Sequence, residues 1–129
     1  MNRAMDELVL MPRGTAFALL GVDGRAVNLG VEVAASVRKR LRGWLGRTQA
    51  PPERGLWLMP CDAVHTIAMR FPIDLVFVDA RGRILRIDAD VPPWRVRMCL
   101  GAHSVIELAA GHAARLALAV GDCLERRRI

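Results

Sequence analysis

Within the stretch VHTIAMRFPIDLVFVDARG, residues 64–82, four side chains capable of chemistry lie close together: His65, Met69, Arg70 and Asp74. Asp74 stands between Ile73 and Leu75 at the mouth of the most apolar strand in the chain. On a strand, Ile73, Leu75 and Phe77 face one way and Asp74, Val76 and Val78 the other. Both faces are then apolar, so the carboxylate is expected to be shielded and to need donors or a cation. Arg70 and the amides around the Phe71–Pro72 bend are nearest in sequence. As scaffolding, Asp74 would hold that bend, and this is the reading we favour. As chemistry, it would be a ligand-orienting acid, or an acid–base partner of His65. Met69, Arg70, Asp74 and Trp94, which follows Pro92-Pro93, form the candidate ligand site. No nucleophile motif surrounds them, so an enzyme is the alternative rather than the leading reading.

Two other constellations invite a ligand. Cys61-x3-His65 and Cys99-x3-His103 contain a complete zinc set by residue type. Residues four apart along a strand lie about 13 Å apart, and Pro60 and Gly101 disfavour the helices that would bring them together. The expectation is no metal and no cofactor, with Cys61, His65, Cys99 and His103 as the alternative. The run Arg38-Lys39-Arg40-Leu41-Arg42 begins a predicted helix. Cations in a first turn oppose the helix dipole, and a bound anion would reverse that penalty. Arg38, Lys39, Arg40 and Arg42 are therefore the candidate anion site. With Trp44 on the apolar face, non-specific phosphate contact is the most such a surface implies for nucleic acid.

The elements that must position these residues are short. Thr15–Leu20 and Arg25–Val33 flank Asp23-Gly24, a pair suited to a tight hairpin turn. Ser36 caps a helix over 36–45, with Val37, Leu41, Trp44 and Leu45 on one face. After the loop RTQAPPERG come strands over 56–59 and 73–78, a type I turn at Asp79–Gly82, and a return strand over 83–87. VPPW, residues 91–94, is rigid loop. A strand over 104–108, a short helix over 111–118 and a strand over 123–125 complete the chain. Glu107, between Ile106 and Leu108, is expected to point outward.

Bulk properties set the frame. The chain has 129 residues, of which 53% are apolar, enough for one domain with a real core. Its apolar runs fall short of the roughly 20 residues of a membrane span, and no secretory signal opens it. Three cysteines suit a reducing compartment, so a cytoplasmic location is expected. The net charge of +6 rests on 19 basic residues of which only Lys39 is lysine, a compositional bias toward arginine rather than evidence of a ligand.

Three blocks carry a family resemblance. VEVAASVRKRLRGWLGR (31–47), GLWLMPCDAVHTIAMRFPIDLVFVDARGRI (55–84) and HSVIELAAGHAARLALAVGDCLE (103–125) resemble the family known as domain of unknown function 192, over about residues 27–125. The resemblance implies a compact, mainly antiparallel β domain with one or two helices, and no established activity. The chain departs from the family pattern at Ala109-Ala110, at Ala117 where a glycine is usual, and at Ala68-Met69.

The fold expected is a single α+β domain over 1–129, mostly β. Antiparallel hairpins form two packed β layers or a distorted half-barrel against the helix over 36–45. The function expected is a small cytoplasmic binding or accessory domain. Its partner would be a small molecule or protein engaged near His65, Met69, Arg70 and Asp74.

Overall fold

The computed structural model describes residues 16–34, 49 and 54–127. Nine strands and one short helix follow in order: β1 (Ala16–Val22), β2 (Arg25–Ala34), β3 (Arg54–Leu58), β4 (Ala63–His65), β5 (Ile73–Val78), β6 (Ile84–Val91), β7 (Val96–Met98), β8 (Ser104–Ala109), α1 (His112–Arg115) and β9 (Leu124–Arg127). Seven of the strands form one sheet in the order β6-β5-β8-β3-β2-β1-β9, while β4 and β7 pair as a separate ribbon. All pairings are antiparallel except β2 with β3, which run parallel.

Turn chemistry explains both expected hairpins. Asp23 and Gly24 take φ of 49° and 83°, the left-handed pair a two-residue turn requires. In the β5–β6 turn, Asp79 Oδ1 accepts the N–H groups of Arg81 and Arg83, and Gly82 sits at φ 88°. No larger residue fits there: a Cβ on Gly82 would lie 2.5 Å from the Leu124 carbonyl oxygen. That contact joins the two ends of the sheet. Leu124 N–H donates to the Gly82 carbonyl, and Arg83 bridges Cys123. The sheet is thereby curled into a half-barrel.

Strands β5 and β8 are covered on both faces. One face packs Val76, Val78, Ile106 and Leu108 with Trp57, Leu20 and Ala113. The other packs Ile73, Leu75, Phe77 and Val105 with Val64, Met69, Phe71 and Cys99, brought in by the β4–β7 ribbon and its flanking turns.

Mostly β holds, but the expected helical part needs correction. Among the described residues the single helix is α1, four residues long, so α+β with a main helix does not describe this architecture. The helix expected over 36–45 lies outside the described residues. The short helix expected over 111–118 stops early for a visible reason. Ala117 turns left-handed at φ 56°, with its N–H on the Ala114 carbonyl and the Leu118 N–H on that of Ala113. These two bonds form a Schellman motif, and its apolar closure is Leu118 in one core with Ala113. No described helix is long and apolar enough to cross a membrane.

Candidate functional site

Asp74 is fully buried, with 0% of its surface exposed. Its position follows from a bulge in β6. Ile73 pairs with Val91 but Leu75 pairs with Asp88, leaving an extra residue opposite Asp74 and Asp90 at φ 53°. Asp74 Oδ1 accepts the Asp90 N–H at 2.9 Å, while Oδ2 accepts those of Gly111 at 3.1 Å and Ala113 at 3.0 Å. One carboxylate therefore holds the bulge and two amides at the start of α1. Its donors come from far along the chain, not from Arg70 or the Phe71–Pro72 bend.

The other members of the expected cluster lie elsewhere. Met69 is buried in the core face opposite to the one Asp74 occupies, and Arg70 is exposed. His65 is exposed on β4, paired across the ribbon with Val96. Its neighbour Thr66, which the sequence reading passed over, organises this end of the ribbon. The Thr66 hydroxyl donates to the Pro92 carbonyl at 2.7 Å and accepts the Arg95 N–H at 2.9 Å. The Thr66 carbonyl accepts the N–H groups of Met69 and Trp94. Thus Thr66 brings Trp94 beside His65 and Ile67, while Asp74 faces the other core.

Around the Cys/His set, the backbone places Cys61 beside His103 and Cys99 beside Asp62. Cys61 Sγ donates to the Ala63 carbonyl, and Cys99 is buried. Among the described residues, no three His, Cys, Asp or Glu side chains converge in a way that could hold a metal ion. Arg38, Lys39, Arg40 and Arg42 lie outside the described residues.

Two features escaped the sequence reading. Glu107 points inward, with only 5% of its surface exposed, between Leu56 of β3 and Leu75 of β5. It has no hydrogen-bond or ion-pair partner among the described residues, and burial pushes its carboxyl up to about 7. Alternation suggested an outward side chain because it presumes a wet face, and β8 has none. The second feature is an apolar surface. Val96 and Met98 project from β7 to solvent, flanked by Trp94, 65% exposed, Leu100, 98% exposed, and Ile67. The signal was in the alternation of WRVRMCL, whose apolar positions fall two apart.

Strain marks the same place. Trp94 and Ala68 hold φ of 66° and 65°, a left-handed geometry that costs a non-glycine residue about 1–2 kcal/mol. Arg70, Arg95, Asp62 and Asp90 are exposed. The outer edge of β7 is capped: Arg97 Nη1 donates to the Val96 carbonyl and Arg86 Nη1 to that of Met98. Asp88 fixes Arg86 through two bonds of 2.6 and 2.7 Å.

The family model described as DUF192, "Uncharacterized ACR, COG1430", matches residues 18–126. Two crystal structures are similar. One is of "a putative transcription regulator" from Sinorhizobium meliloti 1021, 25% identical, with a TM-score of 0.77 over 90% of this chain and 98% of that one. The other is of a protein of unknown function from Novosphingobium aromaticivorans DSM 12444, 23% identical, with a TM-score of 0.74 over 86% of this chain and 84% of that one. No curated protein matches the chain.

Proposed function

This chain belongs to the DUF192 family, and from that premise we propose that it is a small binding domain whose working surface is the outer face of the β4–β7 ribbon. The observation that carries this is the clustering of Ile67, Trp94, Val96, Met98 and Leu100. These are five of the six large apolar side chains exposed among the described residues. Single exposed apolar residues are ordinary, whereas a contiguous strip centred on tryptophan and methionine has the composition of an interface core.

The occupant is a polypeptide with an apolar centre. Arg70 and Arg95 would suit an anionic membrane, but the carboxylate of Asp62, at the end of the ribbon next to Cys99, would be repelled by it. Strand addition is disfavoured by the arginines on the Val96 and Met98 carbonyls. Contact is therefore made through side chains. Asp74 supports binding over catalysis, because its oxygens are engaged by three backbone amides.

Photocrosslinking tests this reading. A benzophenone side chain replacing Val96, irradiated in cells, is expected to form a protease-sensitive adduct that weakens when Trp94→Ala is added. The same group at Arg81, on the β5–β6 turn, is the control. Equal labelling from both positions, or none, would refute the proposal.

A further inference from the structure

Away from the ribbon, a cleft of about 290 Å³ opens between the β5–β6 turn and β9, beside the junction of Gly82 with Leu124. Its lining includes Trp57, Met59, Val78, Ser104, Leu124 and Arg126, and no residue of β4 or β7. At about 30 Å³ per water-sized group, the space admits a ligand of on the order of ten non-hydrogen atoms.

Strand register aims two polar side chains toward this space. Ser104 pairs with Val78 of β5, on the sheet face whose core contains Val76, Val78 and Ile106. Only 3% of Ser104 is exposed, and its Oγ accepts the Trp57 indole N–H at 2.8 Å. The hydroxyl's own hydrogen meets no acceptor among the described residues. A buried donor in that condition favours a ligand oxygen. On β9, Leu124 pairs with Val22 and Arg126 with Leu20, two fully buried residues of the same core. Directly opposed residues share a face, so Arg126 lies on the core side of β9, and Glu125 and Arg127 on the other.

Charge narrows the class of ligand. Two acids border the cleft, Asp79 and Glu125. Asp79 Oδ1 accepts the N–H groups of Arg81 and Arg83, and the Arg81 charge acts on the same carboxylate. Glu125 is paired with Arg127 at 3.2 Å. Arg126 has no ion pair or side-chain hydrogen bond among the described residues, so its guanidinium is available. One guanidinium matches one carboxylate through two parallel bonds. A phosphate dianion would carry its second charge toward Asp79 and Glu125, which disfavours it. We propose that this cleft binds a small organic monocarboxylate, its apolar body against Trp57, Met59, Val78 and Leu124, its carboxylate held by Arg126 and the Ser104 hydroxyl.

NMR titration with benzoate, phenylacetate and hexanoate, each beside its neutral amide, tests the proposal. At least one acid is expected to shift the Trp57 indole N–H resonance and to saturate with a Kd below about 10 mM. Its amide should bind about 5-fold or more weakly. Arg126→Gln should weaken the acid about 5-fold or more, and because Arg126 is exposed, an unchanged denaturation midpoint verifies that this variant is folded. Ser104→Ala should also weaken it; should that buried change unfold the protein, Arg126→Gln decides. No saturation by any acid, equal binding of acid and amide, or indifference to Arg126→Gln would overturn the site. Inorganic phosphate shifting the same resonance as tightly as the acids would overturn the assignment to a carboxylate.

Discussion

Replacing Glu107 by glutamine should stabilise this protein at pH 8 and do almost nothing at pH 4. The carboxyl is buried between Leu56 and Leu75, and burial raises it from the usual 4.5 to about 7. Because the folded value is the higher one, the fold favours the protonated form. Below pH 4.5 the group is neutral folded or unfolded and contributes no difference. Between 4.5 and about 7 the unfolded chain ionises first, and stability falls; above about 7 the loss is complete. At about 1.4 kcal/mol per pH unit, the full loss is about 3.5 kcal/mol. Glu107→Gln keeps the shape and cannot ionise, so it should recover about 2–3 kcal/mol at pH 8. Urea unfolding followed by tryptophan fluorescence would show this as a midpoint raised by roughly 1–2 M. A variant no more stable than wild type at pH 8, or a difference that does not change between pH 4 and 8, would refute the reasoning.

Two further substitutions test the scaffold. Asp74→Asn retains one acceptor oxygen but turns an NH2 group toward amides that now donate to a carboxylate, and should cost about 2–4 kcal/mol. Calorimetry should register a fall of roughly 10 °C, and a fall of less than about 2 °C would remove the carboxylate from its role in holding the bulge and α1 together. Ala117→Gly, at φ 56° in the Schellman motif, should stabilise by about 0.5–1 kcal/mol. The same measurement would count against the strain if the melting temperature fell.

Local chemistry was legible in the sequence and long-range pairing was not. Asp23-Gly24 and Asp79–Gly82 specify their turns through their own backbone preferences, and both occur where expected. The strand over 73–78 stands at its expected bounds because its unbroken apolar run suits only a strand covered on both faces. The same coverage concealed Glu107, whose neighbours Leu56 and Leu75 come from other strands. Asp74 could be read as shielded, but its donors, Asp90, Gly111 and Ala113, lie 16 to 39 residues away. Strand β4, at three residues, is too short for periodicity to register, and Thr66 ties its end to the segment before β7 through contacts 26 and 29 residues distant. Of the candidate cluster, His65 pairs with Val96 and Trp94 is held by the Thr66 carbonyl, both away from Asp74.

The place of β8 in the sheet has a consequence for how the chain acquires its shape during synthesis. It alone pairs with both β3 and β5, so it is the seam between the β1–β3 half and the β5–β6 hairpin. Until residues 104–109 emerge from the ribosome, each half presents an unpaired inner strand, Leu56–Leu58 on one side and Ile73–Val78 on the other. Both are apolar, and either could pair wrongly in the interval. The carboxyl of Glu107 enters in the middle of that seam, between Leu56 and Leu75, so the joining step itself carries the cost of burying an acid unpartnered among the described residues.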